Sequence, residues 1–247
     1  LIWLVGGTGS SREISEHLKK NNIGHIVTVA TEYGKKLYTG VDVRVGRLDR
    51  EGMVKFIEDN HISVVVDATH PYAVEVSRNT IDAASEKKVS HLRFEREMCD
   101  YRSGKKFDTY EEVTDYLSGK KGNVLVTTGS NNLSAFGEED TARYYFRILP
   151  VEVSIRKAID AGISPKNIIA IQGPFAAEFN RAIIKNYSIE YLITKESGRE
   201  GGEGEKIEAC VKEGIELLVI KRPQVNYKKV VYRVQDLVEE IRAIKGE

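Results

Sequence analysis

Cysteine is scarce in this chain: Cys99 and Cys210 are the two among 247 residues, too far apart for a metal-ligand spacing. Each is expected to serve as a small buried hydrophobe. Net charge of either sign is also missing, because Lys+Arg 37 balances Asp+Glu 37. That balance argues against bulk attraction to nucleic acid or to an anionic membrane surface. No apolar run is long enough to span a bilayer and no signal-peptide pattern is visible, so a reducing cytoplasm is the expected setting. Low-complexity segments and short internal repeats are absent as well. The first residue, Leu1, already belongs to the first expected strand, so an initiator Met is expected to have preceded it.

What the chain does have is strand and helix in repeated alternation. Residues 1–5, 25–30, 42–45, 63–67 and 91–94 read as strands, followed by 123–127, 144–149, 168–172, 191–194 and 217–221. Between them apolar residues recur at helical spacing, as at Ile14/Leu18, Met53/Phe56/Ile57, Ile155/Ala158/Ile159 and Ile207/Cys210/Val211. A last amphipathic helix is expected around Leu237, Val238, Ile241 and Ile244. Alternating β and α at this spacing predicts parallel sheets with right-handed crossovers. Ten core strands over this length fit two packed α/β domains better than one sheet. The weakly hydrophobic stretch 98–106 and the later Gly119-Lys120-Lys121-Gly122 mark the changeover, so the domains are expected at 1–120 and 121–247.

The strand ends carry the chemistry. Val64-Val65-Val66 is an unalternating apolar run, as in a central parallel strand, and it leads into Asp67-Ala68-Thr69-His70-Pro71-Tyr72-Ala73. Pro71 removes a donor and biases His70 out of the helical region, so the strand must stop and deliver its polar groups at the carboxyl edge, where open α/β sheets bind ligands. The first strand runs into Gly6-Gly7-Thr8-Gly9-Ser10-Ser11-Arg12, a glycine turn opening a helix and suited to a phosphate. Arg12 replaces the third glycine of a dinucleotide fingerprint, and its charge opposes the helix dipole unless an anion binds. At the end of the second strand, Thr31-Glu32-Tyr33-Gly34 lies where a dinucleotide's adenosine ribose would sit. Glu32 there favours NAD, whereas Lys35 and Lys36 would favour NADP or simply face solvent. Later strand ends carry Thr127-Thr128-Gly129-Ser130-Asn131-Asn132 and Gln172-Gly173-Pro174-Phe175. Lys195 and Lys206 flank a glycine-rich stretch that reads equally as an anion cradle or a mobile loop.

Taken together the chain resembles the precorrin-6A and cobalt-precorrin-6A reductase family of corrin biosynthesis. The resemblance rests on Gly6-Gly7-Thr8 with Arg12, on residues 67–73, on Thr128-Gly129 with Leu133 and Phe136, on Gly173-Pro174-Phe175, on Lys195 with Ser197-Gly198 and Lys206, and on Arg222-Pro223. Their order and spacing match along nearly the whole chain. Thr31-Glu32-Tyr33-Gly34 and Gly46-Arg47-Leu48-Asp49 look more like the cobalt-precorrin branch. Two places depart from the family pattern: Ser10 stands where an acidic residue is common, and Lys195-Glu196-Ser197-Gly198-Arg199 replaces Lys-Asn-Ser-Gly-Gly.

The resemblance implies two Rossmann-like domains with a ligand cleft between them, and an NADH- or NADPH-dependent reduction of one double bond in a tetrapyrrole-derived macrocycle. It implies cofactor contacts at residues 6–12, Thr31, Glu32, Tyr33, Asp67, Ala68, Thr69, His70, Thr128 and Gly129. It implies substrate contacts at Tyr72, Gly173, Pro174, Phe175, Lys195, Ser197, Gly198, Lys206 and Arg222. Arg12, Lys195, Lys206 and Arg222 would pair with carboxylate arms. His70 is the candidate proton donor, with shaping of the turn and hydrogen bonding to the ligand as its expected task. A monomer or small homo-oligomer without a metal is expected. A non-catalytic nucleotide-sensing protein is the alternative class. A short-chain dehydrogenase is disfavoured, since the one Tyr-x-x-x-Lys match, Tyr101 with Lys105, falls in a stretch that reads as loop.

Overall fold

A computed structural model describes residues 1–95, 104–136, 141–198 and 201–246 of the chain. Cys99 and Tyr101 lie outside them. The contacts divide the chain into two units, Leu1–Glu97 with Pro223–Glu247, and Met98–Arg222. Among the described residues, no helix is long and apolar enough to cross a membrane.

In the first unit the strands are β1 (Ile2–Val5), β2 (His25–Val29), β3 (Asp42–Val45), β4 (Val64–Asp67), β5 (Ser90–Phe94) and β12 (Val230–Val231). They stand in the order β12-β5-β4-β1-β2-β3, every pair parallel. The helices are α1 (Gly9–Lys20), the single turn α2 (Glu32–Lys35), α3 (Arg50–Asp59), α4 (Val74–Glu86) and α9 (Val234–Lys245). Successive residues of β1 serve opposite faces, which is why the strand is apolar throughout. Ile2 and Leu4 pack with Ile14, Leu18, Leu237 and Ile241 of α1 and α9. Trp3 and Val5 pack with Met53, Ile57, Ala83 and Ala84 of α3 and α4. Trp3 is fully buried, and its indole N–H donates to Thr28 Oγ1 at 2.9 Å.

The second unit repeats the winding. Its strands are β6 (Gly104–Phe107), β7 (Asn123–Val126), β8 (Tyr144–Ile148), β9 (Ile168–Ala170), β10 (Ile189–Lys195) and β11 (Glu216–Ile220), in the order β6-β11-β10-β7-β8-β9. All are parallel. The helices are α5 (Tyr110–Leu117), α6 (Glu152–Asp160), α7 (Ala177–Asn186) and α8 (Glu203–Glu213). In each sheet one strand leads outward in one direction and a later strand starts the opposite direction beside it. The reversal lies between β1 and β4 in one unit and between β7 and β10 in the other. A crevice opens outside the carboxyl ends of the strands at such a reversal.

The domain limits differ from the sequence expectation of 1–120 and 121–247. Each sheet recruits its sixth strand from outside the alternating series. β6 pairs with β11, so residues 104–120 belong to the second unit, and β12 pairs with β5, which returns the chain's last segment to the first. Neither strand is a long apolar run: Gly104-Lys105-Lys106-Phe107 is mostly polar, and β12 is two residues long. Lys105 is therefore in a strand and not in the loop expected of it.

The fully buried Leu237 anchors the returning segment in the core of the first unit. Leu237→Ala should lower the stability of that unit by about 2–5 kcal/mol, the usual cost of a cavity at a buried leucine. Denaturant titration followed by Trp3 fluorescence reads this unit directly.

Candidate functional site

The turn after β1 is built around hydroxyl groups. Thr8 caps α1: its Oγ1 accepts the Ser11 N–H at 3.1 Å, and the Thr8 N–H donates to Ser11 Oγ at 2.9 Å. The reciprocal pair fixes the entry angle of the helix. Thr8 Oγ1 also donates to Ala68 O at 2.9 Å, which ties this turn to the one after β4. Tyr38 sits beneath the glycines. Its hydroxyl accepts the Gly7 N–H at 3.2 Å and lies 2.7 Å from Ser11 Oγ. A Cβ on Gly6 would stand 2.7 Å from that hydroxyl. Gly7 has a φ of 105°, and a Cβ there would meet nothing within 4 Å, so the space above the turn is open. Arg12 is exposed in the first turn of α1, and its side chain has no partner among the described residues. Of the nine described α-helices, α1 alone has no acidic residue in its first turn. Its positive end therefore carries no acidic side chain of its own first turn, and the residues fit a phosphate group there.

The turn after β4 hangs from a buried ion pair. Asp67 is fully buried, and its Oδ1 meets Arg93 Nη1 at 2.8 Å. The same carboxylate accepts the Thr69 N–H at 3.0 Å, the Thr69 hydroxyl at 2.7 Å and the Ser77 hydroxyl at 2.6 Å. Burial alone would raise the Asp67 pKa. The Arg93 charge, with the hydrogen bonds of Ser77 and Thr69, outweighs it and holds the carboxyl below its ordinary value. Arg93 Nε binds Glu95 Oε1 at 2.8 Å, and the guanidinium lies 5.2 Å from the Tyr227 ring centroid. Beyond this anchor His70 is exposed, and its Nδ1 accepts the Tyr72 N–H at 3.3 Å.

After β2, Thr31 Oγ1 accepts the Gly34 N–H at 3.1 Å and caps α2. Glu32, Tyr33, Lys35 and Lys36 are all exposed there.

In the second unit the turns after β7 and β10 flank the reversal. Thr127 Oγ1 donates to Ile193 O at 2.8 Å, Thr128 is buried, and Gly129 has a φ of 81°. The stretch after β10 is not one long glycine-rich loop, because α8 already begins at Glu203. Glu203 is fully buried and takes the Ser197 N–H, while Gly202 is left-handed with its Cβ position 3.1 Å from Pro174 Cβ. Gly173-Pro174 is a cis peptide. Lys206 lies within the first part of α8, not at a loop tip. Burial, then the Arg147 charge, lowers its pKa to about 8 against the pull of Glu203, Cys210 and Glu205. Lys195 is lowered by burial too. Arg222 is drawn back on Glu196: its N–H donates to Glu196 Oε2 at 3.1 Å and its Nε to Glu196 O at 3.3 Å. Lys106 holds the other Glu196 oxygen at 3.1 Å. Cys210 is a buried thiol pushed up to about 12 by burial, too high for a reactive thiolate.

Sequence reasoning missed Tyr38, Ser77, Arg93, Tyr227 and Arg147. Arg93 did leave a signal, a lone cation inside the strand-like His91-Leu92-Arg93-Phe94, since a buried charge demands a partner. Tyr38 and Tyr227 left none, being distant in sequence from the groups they serve.

Two doubly wound parallel units, each with its polar turns at a strand-order reversal, define a two-domain Rossmann-like protein of the kind that binds ligands at the strand ends. The precorrin-6x reductase CbiJ/CobK family model matches residues 1–242. A cobalt-precorrin-6A reductase of Priestia megaterium is 35% identical over 249 residues, covering 98% of both chains. A precorrin-6A reductase of Sinorhizobium sp is 26% identical over 228 residues, 90% of this chain and 84% of that one. The solved structure of the CobK precorrin-6A reductase superposes with a TM-score of 0.80 at 20% identity, covering 98% of this chain and 96% of that one. The chain belongs to the precorrin-6x reductase CbiJ/CobK family, oxidoreductases of cobalamin biosynthesis.

A carboxyl with a lower pKa folded than unfolded contributes stability that is complete above the ordinary carboxylate value, near pH ~4, and is lost as pH falls towards the folded value. Asp67→Asn should therefore flatten the acid limb of the stability profile. It should also cost about 3–5 kcal/mol at pH 7, because Arg93 stays buried without its main counter-charge. Urea titrations of both proteins from pH 3 to 7 measure both effects.

Proposed function

We propose that the chain is an NAD(P)H-dependent reductase that saturates one double bond of a corrin-type macrocycle, with cobalt-precorrin-6A as its substrate. The observation that carries the cofactor assignment is the α1 terminus: a hydroxyl-braced glycine turn, no acidic residue in the first helical turn, and Arg12 in its place. Greater identity to the relative named for the cobalt substrate than to the one named for precorrin-6A, 35% against 26%, supports the cobalt branch.

When bound, the nicotinamide supplies the hydride, so the protein has to hold, orient and shield the reactants. Residues 6–12 bind the pyrophosphate through helix N–H groups and Arg12. Glu32 accepts from the adenosine ribose, with Thr31 and Tyr33 beside it. Thr8 couples this turn to Ala68, so Ala68, Thr69 and His70 are set against the same ligand, while Asp67 positions them from below. With Nδ1 accepting from the Tyr72 N–H, a neutral His70 ring carries its proton on Nε2 and can donate to the ligand. Thr128 and Gly129 would complete the cofactor contacts that the resemblance implies. Tyr72, Gly173, Pro174, Phe175, Lys195, Ser197 and Gly198 face the macrocycle. Arg222 acts through Glu196, shaping the turn that presents Ser197 and Gly198.

The reading is tested by titrating NADH and NADPH into the wild type and Gly7→Val. A branched side chain at φ 105° should weaken dinucleotide binding at least tenfold, or about 1.4 kcal/mol. Unchanged affinity in a folded variant would remove the turn from the site. NADH is expected to be preferred, because Glu32 repels a 2′-phosphate; a clear NADPH preference would mean that Lys35 and Lys36 outweigh it.

For His70→Ala, the loss should fall mainly on KM, with kcat reduced less than about tenfold, because water can protonate the macrocycle edge. A general acid typically contributes about 10²–10⁴-fold. A thousandfold slower single turnover would make His70 the proton donor.

A further inference from the structure

The glycine turn after β1 is braced from a distant part of the chain by one side chain, Tyr38. Its ring is half-buried and packs on the core that Ile2, Leu4, Ile14 and Val27 share, so its hydroxyl has a fixed place under the turn. Gly6 has to be glycine for that approach, since a Cβ would stand 2.7 Å from the hydroxyl and 3.0 Å from Val27 Cγ1. The protons around the hydroxyl can be assigned one by one. The Thr8 hydroxyl proton goes to Ala68 O at 2.9 Å, and the Ser11 hydroxyl proton to Thr8 O at 2.8 Å. Ser11 Oγ is therefore left to accept from the Tyr38 O–H at 2.7 Å, and the Tyr38 oxygen accepts the Gly7 N–H at 3.2 Å. The chain of bonds runs one way, from the Gly7 N–H through Tyr38 and Ser11 to Thr8 O.

Gly7 has no side chain to fix it, and glycine loses more conformational freedom on ordering than any other residue. Drawing its N–H inward holds φ at 105° and turns outward the face where a Cβ would meet nothing within 4 Å. A phosphate can then approach a backbone that is already ordered, so binding has less entropy to overcome. Tyr38 also stands just past α2, where its own N–H donates to Lys35 O at 3.1 Å. One side chain thus ties the turn proposed for the pyrophosphate to the stretch that carries Glu32.

We infer that Tyr38 is a positioning residue for the dinucleotide: its hydroxyl holds Gly7 and Ser11 in the arrangement that a phosphate requires. The inference rests on the proposed nicotinamide cofactor. Neither the glycine turn nor the resemblance singles out Tyr38, which lies 31 residues beyond Gly7.

Tyr38→Phe keeps the ring on the core and removes only the hydroxyl. The wild type and this variant are compared by calorimetric titration with NADH, NADPH and ADP, by melting temperature, and by steady-state reduction of cobalt-precorrin-6A. The nicotinamide that the wild type prefers, and ADP, should each bind the variant about tenfold more weakly, the usual scale for one or two lost neutral hydrogen bonds. KM for that nicotinamide should rise to match, while kcat and the KM for cobalt-precorrin-6A stay within about twofold. The melting temperature should fall by less than about 4 °C. Nucleotide affinities within about twofold of the wild type would overturn the role and leave the dinucleotide reading standing. Tighter binding would overturn it too, making the hydroxyl a competitor that phosphate must displace from the Gly7 N–H. Losses shared equally by the nicotinamide and the macrocycle, with a larger drop in melting temperature, would make Tyr38 structural only. A wild type that binds neither NADH, NADPH nor ADP would remove the dinucleotide reading itself, and the positioning role with it.

Discussion

The Asp67 carboxylate and the Arg93 guanidinium, 2.8 Å apart and both out of water, set the geometry of the first unit's strand ends. Each ion would cost several kcal/mol to bury alone, and attraction offsets that cost only where the remaining lone pairs and protons are satisfied. Here they are met by Thr69, Ser77, Glu95 and the Tyr227 ring. β4 is thereby joined to β5 and to the start of α4, and residues 68–70 inherit a fixed path. The returning segment holds the other side of β5: Lys229 O accepts the Arg93 N–H at 3.0 Å, and Val231 O accepts the Glu95 N–H at 2.9 Å.

From that anchor the constraint passes to the glycine turn. Ala68 O receives the Thr8 hydroxyl, Thr8 and Ser11 cap α1 between them, and Tyr38 closes the set under Gly7. The groups left outward at this reversal are the open face above Gly7, the exposed Arg12 and the exposed His70. An inner network that consumes its own polar atoms, with an exposed outer rim, is the division of labour expected of a preorganised site. In the second unit the reversal is organised differently, by Glu203 capping Ser197 and by Glu196 gathering Lys106 and Arg222.

The alternation of strand and helix was legible because parallel strands buried on both faces are short apolar runs, as in Val64-Val65-Val66. The polar turns were legible because Gly6-Gly7-Thr8 and His70-Pro71 can only end a strand. The sixth strand of each sheet was not: β6 reads Gly-Lys-Lys-Phe and β12 is two valines, and their pairing depends on contacts distant in sequence. That hidden pairing is why the domain limits were misplaced. At the site, the residue types stood out and their roles did not. Asp67 and Arg222 look equally ready for a ligand in the sequence, and only their partners reveal that both are turned inward. Lys206 looks like a loop lysine until α8 is seen to start three residues earlier, at Glu203.

Hydride transfer from a nicotinamide to the macrocycle is the claim on which the roles of both units depend. Anaerobic turnover of cobalt-precorrin-6A with NADH or NADPH deuterated at the nicotinamide C4, with mass spectrometry of the product, tests it most directly. One deuterium in the reduced macrocycle, in step with loss of the reduced nicotinamide, is the expected result. A reduced macrocycle without deuterium from either C4 position, or no consumption of either nicotinamide, would contradict it.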